Sequence, residues 1–179
     1  MKLNILYIKY AEADMDNKQK LIQWLQETSF KELTLSVDFL VTGYIGYLYV
    51  SALVNATPEQ LASITWLSTL LLQIIIYSIV LMVISYIVLG LISDNELYQP
   101  MDVREKQINL VGYKYSAIIL QVGVILALVQ YNIAAQGFEF MQSSVPHLPL
   151  HILVGAFLLA ELAHYGVQLY KGRTGDIYG

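Results

Sequence analysis

The sequence predicts an all-α protein, four transmembrane helices in an up-down bundle with an N-terminal amphipathic interfacial helix. Three observations carry that prediction. Of 179 residues, 56% are hydrophobic and 13% charged, with mean hydropathy +0.54, whereas a soluble domain carries about 25% charged residues. Four apolar blocks, 33–54, 61–92, 113–135 and 150–170, each reach the roughly 20 residues needed to cross about 30 Å of hydrocarbon. All ten Lys and Arg lie in the N-terminal segment (Lys2, Lys9, Lys18, Lys20, Lys31), a central stretch (Arg104, Lys106, Lys114) or the tail (Lys171, Arg173).

Residues 1–32 form the first unit. The opening MKLNILYIKYAEADMDN has a short apolar run followed by Glu12, Asp14 and Asp16, unlike a secretory signal with its small-residue cleavage site. Asp16 and Gln19 make a capping box. Leu21, Ile22, Trp24 and Leu25 then recur at helical spacing over about residues 17–30. That segment is expected to lie at the membrane interface, or else to pack on the loop as a soluble helix.

Residues 33–175 form the membrane domain. No block alternates polar and apolar with period 2, so helices fit and barrel strands do not. Block 61–92 exceeds a straight span by about ten residues and is expected to tilt or project. NATPEQ (55–60) and QGFEFMQSSVPHLP (136–149) are read as loops, and neither contains Lys or Arg. By the positive-inside rule both termini and the central stretch face the cytoplasm of a bacterial inner membrane.

Ionisable groups at membrane depth cost at least roughly 2.5–3.5 kcal/mol each, so each needs a partner or a purpose. Thr34, Asp38, Thr42 and Gly46 fall at i, i+4 spacing on the first span, a polar and small face suited to close contact. Gly43, Gly46 and Ser51 are expected to favour a homodimer. Thr69, Gln73 and Tyr77 mark one face of the second span. On the fourth, Glu161, His164, Tyr165 and Gln168 form a stripe.

Counted from the cytoplasmic ends, Asp38, Lys114, Gln121, Glu161, His164 and Gln168 occupy overlapping depths. They are expected to meet inside the bundle, with Asp38 and Lys114 as an ion pair. The cluster reads in three ways: a hydrogen-bonded core that fixes helix register, a ligand or ion pocket, or a site of proton or metal chemistry. Glu161 lies too deep to reach either surface, so its carboxylate must be neutral, paired or wetted by a cavity. That makes it the residue best placed to act as a switch.

Glu161 and His164 also spell Glu-x-x-His, but a di-iron bundle needs a second copy and two further glutamates, which the chain lacks. His151 and His164 are thirteen residues apart, a haem-pair spacing. With His147 the only other histidine, the facing ligands would have to come from a second copy. There is no cysteine, no P-loop, no HExxH, no nucleophile elbow and no dinucleotide fingerprint. The dispersed basic residues make no nucleic-acid footprint. The sequence therefore implies no cofactor and leans away from an enzyme.

Asp102 and Glu105 are spaced as a capping box for a helix that runs into the third span. The stretch Asp102, Arg104, Glu105 and Ile108 reads either as a solvated helix start or as a contact surface. It resembles a family of small prokaryotic membrane proteins of unknown function that carry an Asp-Glu-Arg-Asp/Glu-x-x-Ile box before a span. Lys114 is similar to a basic position downstream, whereas Val103 and Val111 depart from the pattern. The ending, through Phe157, Ala160, Glu161, Tyr165, Gln168, Leu169, Arg173 and Gly175, is also similar.

The resemblance covers roughly residues 60–175. Because such proteins are often encoded beside small helix-turn-helix regulators, it implies a membrane sensor or sequestering partner for a cytosolic regulatory protein, contacted through residues 94–114. A small transporter or ligand-binding bundle is the first alternative to this regulatory module. A membrane-embedded redox protein or enzyme is the second.

Overall fold

The computed structural model describes residues 29–92, 101–137 and 145–175. The expected interfacial helix lies outside these residues up to position 28, and so does the 94–100 part of the central stretch. Within them are five helices: α1 (Phe30–Val54), α2 (Pro58–Ala62), α3 (Ile64–Ile92), α4 (Val103–Gln136) and α5 (Leu148–Thr174). Four of these are long and apolar enough to cross a membrane, so the chain is an all-α, four-span membrane protein.

Local chemistry sets the ends. Ser29 caps α1 by accepting from the Glu32 N–H at 3.2 Å. Thr57 and Gln60 form a capping box around Pro58 at the first position of α2, where its missing N–H costs nothing. The block expected as one span from residue 61 is therefore broken: a five-residue helix ends at Ala62, and α3 begins afresh at Ile64. The expected Asp102–Glu105 capping box is present and starts α4, with the Asp102 N–H donating to Glu105 at 3.1 Å. Left-handed Gly137 and Gly175 close α4 and α5, in the conformation that glycine adopts without steric cost.

At 34 residues α4 is about 51 Å long, some 20 Å more than the hydrocarbon core. A helix of that length tilts or extends beyond the hydrocarbon, and its charged first turns are the part suited to the polar headgroup layer.

The spans pack in the order α3, α1, α5, α4, with α4 against α5 the most extensive contact. That pair is built on small residues. On α5, Ala156, Ala160, His164 and Gln168 repeat every four residues and are buried; Ile108, Gly112, Gly123 and Ala127 are the buried positions of α4. A Cβ at Gly123 would stand 2.1 Å from the Ala156 Cβ, so the backbones touch there. In lipid, apolar faces gain nothing by leaving solvent for one another, and close van der Waals approach carries association.

The α1–α3 contact centres on Ile45, Tyr49, Leu70 and Ile74, with Val154 and Leu158 of α5 beside them. Gly43 and Gly46, expected to face a second copy, instead face Leu162 and Leu158 of the chain's own α5, at 3.9 and 3.8 Å from a Cβ position. A homodimer must use another face. Thr69, Gln73 and Tyr77 also turn outward, because α3 meets α1 through Leu70 and Ile74.

Candidate functional site

Six of the expected site residues were placed at one depth, and the structure gathers four of them. Asp38, on α1, is 5% exposed, and the Tyr86 hydroxyl of α3 donates to its Oδ2 at 3.2 Å. From α5, Glu161 and His164 are close enough to act on the Asp38 charge. Tyr165 is likewise an electrostatic neighbour of Glu161, Asp38 and Tyr86.

His164 is 8% exposed, with its ring centroid 4.3 Å from that of Tyr113 on α4. Its Nε2 is 2.9 Å from Gln168 Nε2, which also donates to the His164 carbonyl at 3.2 Å. The His164 ring and the Gln168 amide are therefore hydrogen-bonding partners one helical turn apart. All four spans thus contribute to one polar neighbourhood.

Lys114 and Gln121 do not join it. Both are exposed on α4, because the side of α4 that meets α5 carries Gly112 and Gly123. The expected Asp38–Lys114 ion pair is replaced by the Tyr86 hydrogen bond. The expected stripe on α5 also divides: His164 and Gln168 turn to α4, while Glu161 and Tyr165 keep company with Asp38 and Tyr86. Tyr86 is the participant that sequence reasoning missed.

Asp38 Oδ1 and His164 Nδ1 are buried without a hydrogen-bond partner among the described residues. A buried orphan of this kind costs about 1–3 kcal/mol, and more when charged, so both sites call for a further contact. Among the described residues, no three His, Asp or Glu side chains converge as metal ligands. His151, the other histidine of the expected haem spacing, bonds the Tyr49 hydroxyl at 2.7 Å.

At the end of the bundle where the six described Lys and Arg lie is a cavity of about 280 Å³. Ser29, Lys31 and Glu32 of the α1 start, Asp102, Arg104, Glu105 and Ile108 of the α4 start, and Gln168 and Gly172 of α5 line it. Lys31 Nζ lies 3.2 Å from Glu105, Arg173 pairs with Glu32, and Arg104 donates to the Gly172 carbonyl at 3.3 Å. The four residues expected to contact a partner are thus engaged within the chain: Asp102 and Glu105 as caps, Arg104 on α5, and Ile108 buried. Gln168 belongs to both places, lining the cavity and bonding His164.

No protein-family model, curated protein or solved structure matches the chain.

Proposed function

We propose that the chain is a non-enzymatic sensor or regulatory module of the bacterial inner membrane, with both termini in the cytoplasm. The carrying observation is the double role of Gln168, which joins the cavity at the basic end to the buried group of Asp38, Glu161 and His164. Clustering of Lys and Arg at that end supports its cytoplasmic placement. A change in charge or contact at Glu161 bears on His164 and Gln168 through α5, and through them on how α1, α4 and α5 meet at the rim.

The output is contact with a cytosolic regulatory protein. Because Ile108 is buried and Asp102, Arg104 and Glu105 line the cavity, the outward side of the α4 start carries that contact, where Val103 and Leu110 are about two-thirds exposed beside Lys106. Membership of the small membrane-protein family that the Asp102–Ile108 stretch resembles is part of the same proposal. Photo-crosslinking residues at Val103 and Leu110 in living cells are expected to capture one and the same cytosolic protein. The same residue at Leu126, on the apolar flank of α4, is expected to capture none. Crosslinks from Val103 and Leu110 to lipid alone would overturn the reading.

A second reading, a ligand-binding or transport bundle, draws on the orphaned Asp38 Oδ1 and His164 Nδ1. It requires solute accumulation by sealed vesicles that the Asp38→Asn variant loses.

A further inference from the structure

The cavity at the basic end has a chemistry of its own. At about 280 Å³ it falls just below the ordinary range of small-molecule sites, about 300–1,000 Å³, so it fits one small group. Its lining carries charges of both signs, Lys31 and Arg104 with Glu32, Asp102 and Glu105, and so suits a ligand that carries both charges itself.

Arg104 meets no carboxylate among the described residues. Its one described bond goes to a carbonyl, which leaves most of a five-donor guanidinium for an oxyanion. Glu105 and Asp102, one turn apart on the same wall, supply acceptors for a primary ammonium. The floor is apolar: Leu35, Ile108 and Leu169. The depth also fits, because the cavity opens at the first turns of α4, where that overlong helix leaves the hydrocarbon for the headgroup layer.

We infer that this cavity binds a phosphoethanolamine group, its phosphate on Arg104 and its ammonium on Glu105 and Asp102, carried by a lipid of that leaflet or free in solution. This goes beyond the regulatory reading and does not depend on it.

Native mass spectrometry of the delipidated protein in neutral detergent, titrated with single phospholipids, tests it. Phosphatidylethanolamine is expected to be retained about tenfold more tightly than phosphatidylglycerol, the value of one charge-assisted hydrogen bond. Phosphatidylcholine, whose ammonium has no N–H to donate, is expected to follow phosphatidylglycerol. Leu35→Trp, which fills the cavity while keeping every charge, is expected to abolish the preference, and Arg104→Ala, which removes the group on the phosphate that both lipids carry, is expected to weaken retention of both. Displacement of the lipid by free phosphoethanolamine assigns the site to the soluble form; retention against it assigns the site to the lipid. Equal retention of the ethanolamine and glycerol lipids by the unaltered protein would overturn the inference, as would an unchanged preference in Leu35→Trp or undiminished retention of both lipids by Arg104→Ala.

Discussion

Tyr86 of α3 donates its hydroxyl proton to Asp38 of α1 across 3.2 Å, one polar tie between two helices whose other meeting residues are largely apolar. Removing one partner of a buried hydrogen bond costs about 1–3 kcal/mol, whereas replacing both with apolar groups is close to neutral. Tyr86→Phe is therefore expected to destabilise the fold by about that amount. The double variant with Asp38→Leu is expected to cost less than the two single changes together. Asp38→Leu and Lys114→Met, in contrast, are expected to add, since Lys114 faces outward. Unfolding in mixed micelles measures all five variants, and coupling between Asp38 and Lys114 would contradict the arrangement.

Gly123 tests the α4–α5 seam. Its missing Cβ would lie 2.1 Å from that of Ala156, and overpacking of this kind costs about 1–3 kcal/mol. Gly123→Ala is expected to lower thermal stability clearly. Gly155→Ala, where a Cβ meets nothing within 4 Å, is expected to leave it unchanged or raise it slightly. The reverse order would remove the small-residue seam from the account of packing.

Far from the basic end, Tyr49 of α1 and His151 of α5 share a 2.7 Å hydrogen bond. Hydrogen bonds between membrane helices are worth about 0.6 kcal/mol on average and about 1.7 at most. Tyr49→Phe is expected to cost about 0.6 kcal/mol and no more than about 1.7 in the same assay. A larger loss would give the pair a role beyond packing.

Orientation is testable without structure. With the basic end inside, a cysteine at Met101 in intact cells is expected to resist a membrane-impermeant reagent, and one at Asn55 or Gly137 to react. Labelling at Met101 would reverse the topology and place the cavity in the outer leaflet.

The number of spans, their rough extent and the Asp102–Glu105 cap were legible because length, hydropathy and capping chemistry are local. The TPEQ signature of the α2 cap was equally local, and reading 55–60 only as a loop passed over it. Helix rotation was not legible. Lipid is as apolar as leucine, so the buried and lipid-facing sides of α3 look alike in sequence; Tyr86, whose hydroxyl reaches Asp38 from an exposed side chain, could not be told from Tyr77, which makes no such contact among the described residues. Counting depth placed Lys114 and Gln121 level with Asp38, but depth says nothing of azimuth. The Ala156, Ala160, His164 spacing was the available clue, since small residues at i, i+4 mark the side a neighbour approaches. It points away from Lys114 and toward Gly112 and Gly123.

The proposed coupling of Glu161 to the rim is measured most directly by spin labels at Ser29→Cys and Gly172→Cys, both in the cavity lining, in nanodiscs. Removing the charge with Glu161→Gln is expected to shift the distance distribution between the labels. Gln121→Leu, an outward-facing change on α4, is expected to leave it unaltered. A Glu161→Gln distribution that superimposes on that of the unaltered protein would contradict the switch.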